Sequence, residues 1–163
     1  MVCGAMSADL FAAAVSRFAP AGVVLTAAWR GRRYATALTT GQILTADPGS
    51  IMVSVDRRDQ IYPAIMRSRA LALNILDDHR AALATGRRAD PDVDEERLLA
   101  AGAWVTSDAG LPVLNEAAAT LECHVETTTS MRSHIVLACR IRAVRLLKTS
   151  AALARATPSL GQA

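Results

Sequence analysis

The stretch SIMVSVDRRDQIYPAIM, residues 50 to 66, contains a strand pattern, a charged joint and a helix pattern in direct succession. Branched apolar residues occupy every second position from 51 to 55, which is typical of a strand with one buried face. Pro63 then falls in the first turn of the predicted helix, where a missing N–H costs nothing. The joint, Asp56-Arg57-Arg58-Asp59, places two arginines beside a helix start, so it is a candidate binding site.

Strand patterns continue on both sides of this stretch, while helix patterns are few. Ser7 is predicted to cap an opening helix that ends before Pro20, and Asp77 and Asp78 are predicted to cap a short helix through 79–84. This dominance of strands predicts a mainly β barrel or sandwich and argues against a doubly wound fold. The predicted strands are 23–29, 34–38, 51–55, 70–76, 104–107, 118–128 and 133–147.

The last of these strands has the clearest two-sided pattern. We expect one face to be core and the other to be partly basic, with Arg140 and Arg142 on it. The core face is predicted to carry Ile135, Leu137, Cys139, Ile141 and Ala143.

Composition limits the class of protein. A chain of 163 residues with 52% hydrophobic content is expected to form one compact domain. Its apolar runs are shorter than the roughly 20 residues that cross a bilayer, and the start lacks an export pattern, so we expect a cytoplasmic protein without membrane contact. The three cysteines, Cys3, Cys123 and Cys139, have no metal-ligand or Cys-x-x-Cys spacing, which predicts reduced thiols and no bound metal.

The net charge of +3 raises the question of nucleic acid, but the pattern of residues argues against it. The arginines are dispersed, and two Phe, two Tyr and two Trp leave few platforms for base stacking. The polar residues 85–97 are interpreted as a surface loop that runs into a helix and is mobile at its middle. No phosphate loop, Gly-x-Ser-x-Gly turn or His pair is present, so any chemistry would come from a cofactor.

An ordered series of segments resembles the flavin reductase-like, FMN-binding split-barrel family. The resemblance covers roughly residues 10 to 147, and we expect the domain to occupy residues 1–148 and a C-terminal tail to occupy residues 149–163. The segments are SRFAPAGVVLTA (16–27), the gapless run 34–56, DRRDQIYPAI (56–65), LALNIL (71–76), GLPVL (110–114) and ATLECHV (119–125).

The resemblance implies a homodimer of six-stranded Greek-key split barrels with a few flanking short helices. It implies FMN, or alternatively FAD, near the dimer interface, and hydride transfer to this flavin from NADH or NADPH. It also implies a partner in many members, a flavin-dependent monooxygenase that receives the reduced flavin. No nucleic-acid or membrane partner is expected.

The family's flavin-binding segment, Thr-x-Asn-(Ala or Ser)-Phe-x-Ser-x-Ser, falls on residues 37–45 of this chain. Side chains that still offer hydroxyl or amide groups there are Thr39, Thr40, Gln42 and Thr45. Backbone amide contacts need no particular side chain and would survive the departures from the pattern. Those departures are Ala37, Gly41 and Ile43.

The charged joint has two interpretations within this resemblance. In the family a small hydroxyl residue commonly follows the basic pair and helps to bind the flavin phosphate, and here Asp59 stands in that place. Arg57 or Arg58 can make paired hydrogen bonds to phosphate beside the positive end of the helix. Alternatively, Asp59 caps the helix and fills the anion position with its own carboxylate.

His134 lies where the family often has a histidine near the nicotinamide and the flavin ring, so it is the predicted catalytic residue. Ser133 replaces the family's acid and Arg132 its glycine. The family's final Tyr-rich segment has no counterpart in residues 148–163.

Three hypotheses about function follow. The first is a flavin reductase that passes a hydride from NAD(P)H to FMN. The second is a divergent split-barrel dimer that binds flavin or another ligand without catalysis, which the departures at Ala37, Ile43 and Asp59 would explain. The third and weakest is a basic nucleic-acid module.

Overall fold

A computed structural model of the chain describes residues 2–5, 7–15, 22–38, 43–45, 49–84 and 91–147. Within these ranges the helices are α1 (Ala8–Val15), α2 (Ile61–Ser68) and α3 (Pro91–Ala101), with a short 3₁₀ turn at Ala81–Leu83. None of these helices combines the length and apolar character needed to cross a bilayer. The strands are β1 (Val2–Ala5), β2 (Val23–Trp29), β3 (Arg32–Leu38), β4 (Ile43–Thr45), β5 (Ser50–Asp56), β6 (Ala70–Ile75), β7 (Trp104–Thr106), β8 (Pro112–Leu114), β9 (Ala119–Ser130) and β10 (His134–Leu146).

Eight strands form one curled antiparallel sheet, in the order β3-β2-β6-β9-β10-β5-β4, with β1 paired to β10. Along one edge, β10 pairs with β9; along the other it pairs first with β5 and then with β1. β7 and β8 form a separate two-stranded hairpin. The predicted mainly β split-barrel class is confirmed.

The main sheet has eight described strands instead of the predicted six. β1 and β4 account for the difference, since they have four and three residues and are too short to show a convincing alternation. β8 was also missed, because it begins at Pro112 and has only three residues.

Of the two helix starts predicted from the sequence, the first has the expected capping bond. The N–H of Leu10 donates to Ser7 Oγ at 3.2 Å, and α1 ends at Val15. Residues 16–21, which include Pro20, lie outside the described residues. At the second, the N–H of Arg80 donates to Asp77 Oδ1 at 3.0 Å, but only the 3₁₀ turn Ala81–Leu83 follows in place of the predicted helix, and its N-cap residue is Arg80.

The core lies inside the curled sheet and is closed by two helices. Phe11 and Ala14 of α1 and Ile61 and Ile65 of α2 belong to the same buried cluster as the inward residues of β2, β5, β6, β9 and β10. Since α2 packs against β2 and β3, the joint that precedes it is fixed at the edge of this core.

The predicted two-sided pattern of β10 holds as far as Ile141 and then shifts. Ala143 is half-buried and Val144 is fully buried, so the predicted core position of Ala143 is wrong. The cause is a β-bulge between Ile141 and Ala143 in the pairing with β9. One extra residue in a strand moves all following side chains to the opposite face.

Two free cysteines lie in this core. Burial raises the pKa of Cys139 to about 12 and raises that of Cys123 well above its ordinary value. The side chain of Cys3 lies outside the described residues.

A group of buried polar side chains, here called the hairpin network, joins the outer face of the sheet to the β7–β8 hairpin. At its centre Asn74 donates from Nδ2 to the carbonyl of Val24 and to Thr26 Oγ1, both at 3.1 Å. Asn74 Oδ1 accepts from the N–H of Leu114 at 2.8 Å and from Thr120 Oγ1 at 3.4 Å. The side-chain amide therefore has partners for both its donors and its acceptor.

The hairpin network also includes Ser107 and Glu122. Ser107 Oγ donates to Glu122 Oε2 at 2.9 Å, and Thr26 Oγ1 donates to the carbonyl of Pro112 at 2.6 Å. All five side chains of the network, those of Thr26, Asn74, Ser107, Thr120 and Glu122, are buried.

Candidate functional site

The pairing of β5 with β10 brings the charged joint and His134 together. In this register Asp56, the last residue of β5, lies opposite His134, the first residue of β10. The N–H of Arg57 donates to the carbonyl of Ser133 at 3.0 Å, which continues the contact beyond the strands. We call residues 56–59, residues 130–134 and Thr36 the corner.

Asp56 and Arg58 form a closed ion pair within the joint. Arg58 Nη2 donates to Asp56 Oδ2 at 2.8 Å, and the backbone N–H of Arg58 donates to Oδ1 at 2.9 Å. The hydrogen bond from the Arg58 side chain is the main reason why the pKa of Asp56 falls from 3.8 to about 2. The side chain of Arg58 is nevertheless 82% exposed, so its outer surface remains open to a ligand.

Arg57 spans from the joint to the β9–β10 turn. Its Nη2 donates to Ser130 Oγ at the end of β9, while its backbone N–H holds the turn through Ser133. The turn is closed by the N–H of Met131, which donates to the carbonyl of His134 at 2.9 Å. Arg57 therefore ties together the two segments that form the corner.

Asp59 is buried, with 4% of its surface exposed, directly before α2. Its Oδ2 accepts a hydrogen bond of 3.2 Å from Thr36 Oγ1, and Thr36 itself is buried on β3. The carbonyl of Asp59 accepts from the N–H of Tyr62 at 3.0 Å. Gln60, at the N-cap position of α2, makes no side-chain capping bond. Asp59 thus lies two residues before the first residue of α2, and its carboxylate is bonded to Thr36 of β3.

His134 is half-buried and oriented by its neighbour. A hydrogen bond of 2.8 Å links Ser133 Oγ and His134 Nδ1. The imidazole also faces the negative charge of Asp56, since His134 contributes to the lowered pKa of that carboxyl. With Nδ1 engaged, Nε2 is the ring nitrogen left to contact a ligand.

The other sequence-predicted residues do not join the corner in the described part of the chain. Thr39, Thr40 and Gln42 lie outside the described residues. The backbone of Thr45 lies on β4 opposite Ile51, five positions before Asp56 along β5, or about 17 Å along the strand. The side chain of Thr45 also lies outside the described part.

Several residues of the corner, among them Thr36, Asp56, Ser130 and Ser133, were given no individual role in the sequence-based prediction. Thr36, Ser130 and Asp56 gain their roles from contacts between strands that are distant in sequence. The available signal was weak: Thr36 is a hydroxyl residue inside the run 34–56 that carries the resemblance, and Ser130 follows the segment 119–125 by five residues.

The groups in the corner suit the polar end of a flavin. Carboxylate, hydroxyl and guanidinium groups line up along one edge of an apolar core, which is the arrangement that binds a ligand with an apolar ring and a polar chain. The exposed guanidinium groups of Arg57 and Arg58 and the half-buried imidazole of His134 therefore suit the polar end of a flavin.

The sheet topology defines a mainly β split-barrel protein, and the corner is a cluster of charged and polar side chains at its β5–α2 joint. The chain belongs to the flavin reductase-like domain family, whose model matches residues 15–156.

Curated relatives agree with this family. The chain is 29% identical over 127 residues to the FMN reductase (NADH) RutF of Bradyrhizobium diazoefficiens, covering 78% of this chain and 69% of the relative. It is 33% identical over 103 residues to the protein of the same name from Variovorax paradoxus, covering 63% of this chain and 56% of the relative.

Solved structures share the fold at lower identity. Flavin reductase PheA2 superposes with a TM-score of 0.64 at 20% identity, covering 88% of this chain and 90% of that one. The styrene monooxygenase flavin reductase SMOB from Pseudomonas putida S12 gives 0.62 at 23% identity, covering 83% of this chain and 85% of that one.

Proposed function

We propose that this protein is an NADH-dependent flavin reductase that binds FMN at the corner. The observation that carries the proposal is the β5–β10 register, which sets His134 beside the charged joint of a chain in the flavin reductase-like family. FAD is the alternative flavin and NADPH the alternative donor. The name FMN reductase (NADH) of the curated relatives supports the first choice in both cases.

Each predicted residue has a place in this proposal. Thr39, Thr40, Gln42 and Thr45 bind the flavin from residues 37–45, through hydroxyl, amide and backbone groups. That segment begins at Ala37, the residue directly after Thr36 of the corner. Arg57, Arg58 and Asp59 bind the sugar-alcohol end of the flavin, which the polar lining of the corner supports.

When bound, the flavin would supply the redox chemistry, since its ring accepts a hydride, which carries two electrons, from the nicotinamide. The chain supplies position and charge. His134 Nε2 contacts the bound nicotinamide or flavin ring, and Ser133 keeps the imidazole in place through Nδ1. The Asp56–Arg58 pair holds the end of β5, and thereby the residue opposite His134, in a fixed position.

The proposal extends to assembly and partner. We expect a cytoplasmic homodimer, and the buried free thiols of Cys123 and Cys139 suit a reducing compartment. A flavin-dependent monooxygenase is the proposed acceptor of the reduced flavin. The fold shared with a styrene monooxygenase flavin reductase supports that choice.

Steady-state kinetics test the activity. Purified protein with NADH and FMN is expected to oxidise NADH at about 1 per second or faster, a usual enzyme rate. His134→Gln is expected to lower kcat/KM for NADH about thirtyfold, because it removes the imidazole that contacts the reacting partners.

His124→Gln is the matched control, since His124 is exposed on β9 outside the corner. Its kinetics should equal those of the wild type. The absence of flavin-dependent oxidation with either nicotinamide would reject the reductase, and binding of FMN without turnover would favour a binding protein that has lost catalysis.

A further inference from the structure

We propose that the tip of the β2–β3 hairpin is a docking site for a carboxylate-rich surface of a partner protein. The arginine tip consists of residues 30–33, Arg-Gly-Arg-Arg, all of which are exposed and none of which is acidic. Arg32 lies about 13 Å along β3 from Thr36 of the corner. The proposal therefore concerns a separate surface and does not depend on the flavin chemistry.

The backbone of the arginine tip has a conformation that arginine rarely adopts. Trp29 of β2 pairs with Arg32 of β3, so the loop between them has only two residues. These are Arg30 and Gly31, whose φ angles of 50° and 77° are those of a type I′ turn. Such turns favour Asn-Gly, because a bulky side chain at positive φ is strained. The strain at Arg30 points to a role other than folding.

Two aromatic rings hold guanidinium groups of the arginine tip in place. The guanidinium carbon of Arg30 lies 5.8 Å from the ring centre of Trp29. That of Arg32 lies 4.6 Å from the ring centre of Tyr34, and Arg32 Nη2 also donates to Glu95 Oε1 at 3.0 Å. Both ring distances are within the roughly 6 Å over which a ring face attracts a cation. The tip is thus ordered before a partner arrives, which reduces the entropy lost on binding.

The positive charge of the arginine tip is only partly balanced by the rest of the protein. Glu95 of α3 is buried and is bonded to Arg32. Among the residues that the structure describes, Arg30 and Arg33 form no ion pair. A planar guanidinium binds a carboxylate through two parallel hydrogen bonds. Arg30 and Arg33 are therefore the groups that contact the carboxylates of the partner.

The same charges would also attract a nucleic acid, but the surroundings of the tip favour a protein. Trp29 and Tyr34 are half-buried, and an arginine covers one face of each ring, which leaves little surface for stacking a base. A duplex gains its affinity from many phosphate contacts, for which a two-residue turn is a small footprint. Arginine, tryptophan and tyrosine are also the residues most enriched where protein–protein interfaces gain their affinity.

Arg30→Asn tests the proposal through two opposite effects. The variant removes a charge and supplies the residue that the turn favours, and the cation–π contact that it loses is near the limit of its range. We therefore expect Tm to rise by about 2 °C in a thermal unfolding scan. Affinity for a fluorescein-labelled oligoglutamate peptide, measured by fluorescence anisotropy at low salt, should fall about tenfold. Arg33→Gln, which leaves the turn backbone unaltered, should lower this affinity similarly without changing Tm.

Arg142→Gln is the matched control, because it removes an exposed arginine of β10 and changes the net charge equally. It should alter neither Tm nor the affinity for the peptide. An equal loss of affinity in the control, or a wild type that does not bind the peptide at low salt, would overturn the proposal. So would a lower Tm for Arg30→Asn, since Arg30 would then stabilise the hairpin. Tighter binding of single-stranded DNA with the same number of charges would reassign the tip to nucleic acid.

Discussion

The corner and the hairpin network both place polar side chains against the sheet. They differ in how far those side chains are exposed and can therefore reach a ligand. In the hairpin network all the side chains are buried, and both donors and the acceptor of Asn74 are used within the protein. In the corner Arg58 is 82% exposed and His134 is half-buried. Closed polar groups specify a fold, whereas open ones remain available to a ligand.

The comparison predicts that substitutions in the two regions affect different measurements. The largest effect is expected for Asn74→Ala, which removes hydrogen bonds from the partners of Asn74 and leaves buried groups such as the N–H of Leu114 without them. Urea unfolding at fixed protein concentration should show a loss of about 3 kcal/mol.

Flavin affinity of the folded Asn74→Ala protein should be unchanged, because the hairpin network lies outside the corner. If Asn74→Ala lowers the free energy of unfolding by less than about 1 kcal/mol, the side chains of the hairpin network are not fully hydrogen-bonded as described.

The second effect concerns Arg57, which ties the β5–α2 joint to the β9–β10 turn. Arg57→Ala should weaken the binding of riboflavin and of FMN to the same degree, about tenfold. The reason is that the corner loses the bond between the joint and the β9–β10 turn, and not a contact to phosphate. Titration of both flavins measures this effect.

Arg142→Ala, which removes an exposed arginine at the other end of β10, is the control and should change neither constant. Weaker binding of FMN with unchanged binding of riboflavin would show that Arg57 contacts the phosphate.

The smallest effect concerns the pH dependence of stability at Asp56. Its pKa is lowered from 3.8 to about 2 in the folded protein, so its contribution is present above pH 3.8 and is lost as the pH falls through about 2. Because Arg58 is largely in solvent, we expect this contribution to be only about 1 kcal/mol.

The free energy of unfolding of the wild type and of Asp56→Asn, measured at about pH 5 and about pH 2, gives this contribution of Asp56. The variant should be less stable at the higher pH, and the difference should disappear at the lower one. An equal difference at both pH values would assign the effect to packing and not to charge.

Much of the sheet could be predicted from the sequence because its long strands alternate clearly. β2, β5 and β10 appeared with nearly their observed bounds. β1 and β4 were missed, since three or four residues contain too little of a period, although the equally short β7 was predicted. The bulge after Ile141 could not be predicted either, because Ala143 and Val144 are both apolar and conceal the change of phase that an extra residue causes.

The site was predictable only as separate segments. Arg57, Asp59 and His134 were identified by resemblance, and their roles remain predictions. Their meeting depends on the register that sets His134 opposite Asp56, which a single sequence does not specify when both strands are long and regular. The Thr36–Asp59 contact has the same origin.

The two buried cysteines affect how well the protein resists oxidation by the peroxide that forms when reduced flavin meets oxygen. Reduced flavin reacts with oxygen to give peroxide, which attacks thiolates far faster than thiols. Burial keeps Cys123 and Cys139 in the thiol form, with a pKa of about 12 for Cys139. The thiols of Cys123 and Cys139 should therefore resist oxidation by peroxide during repeated turnover.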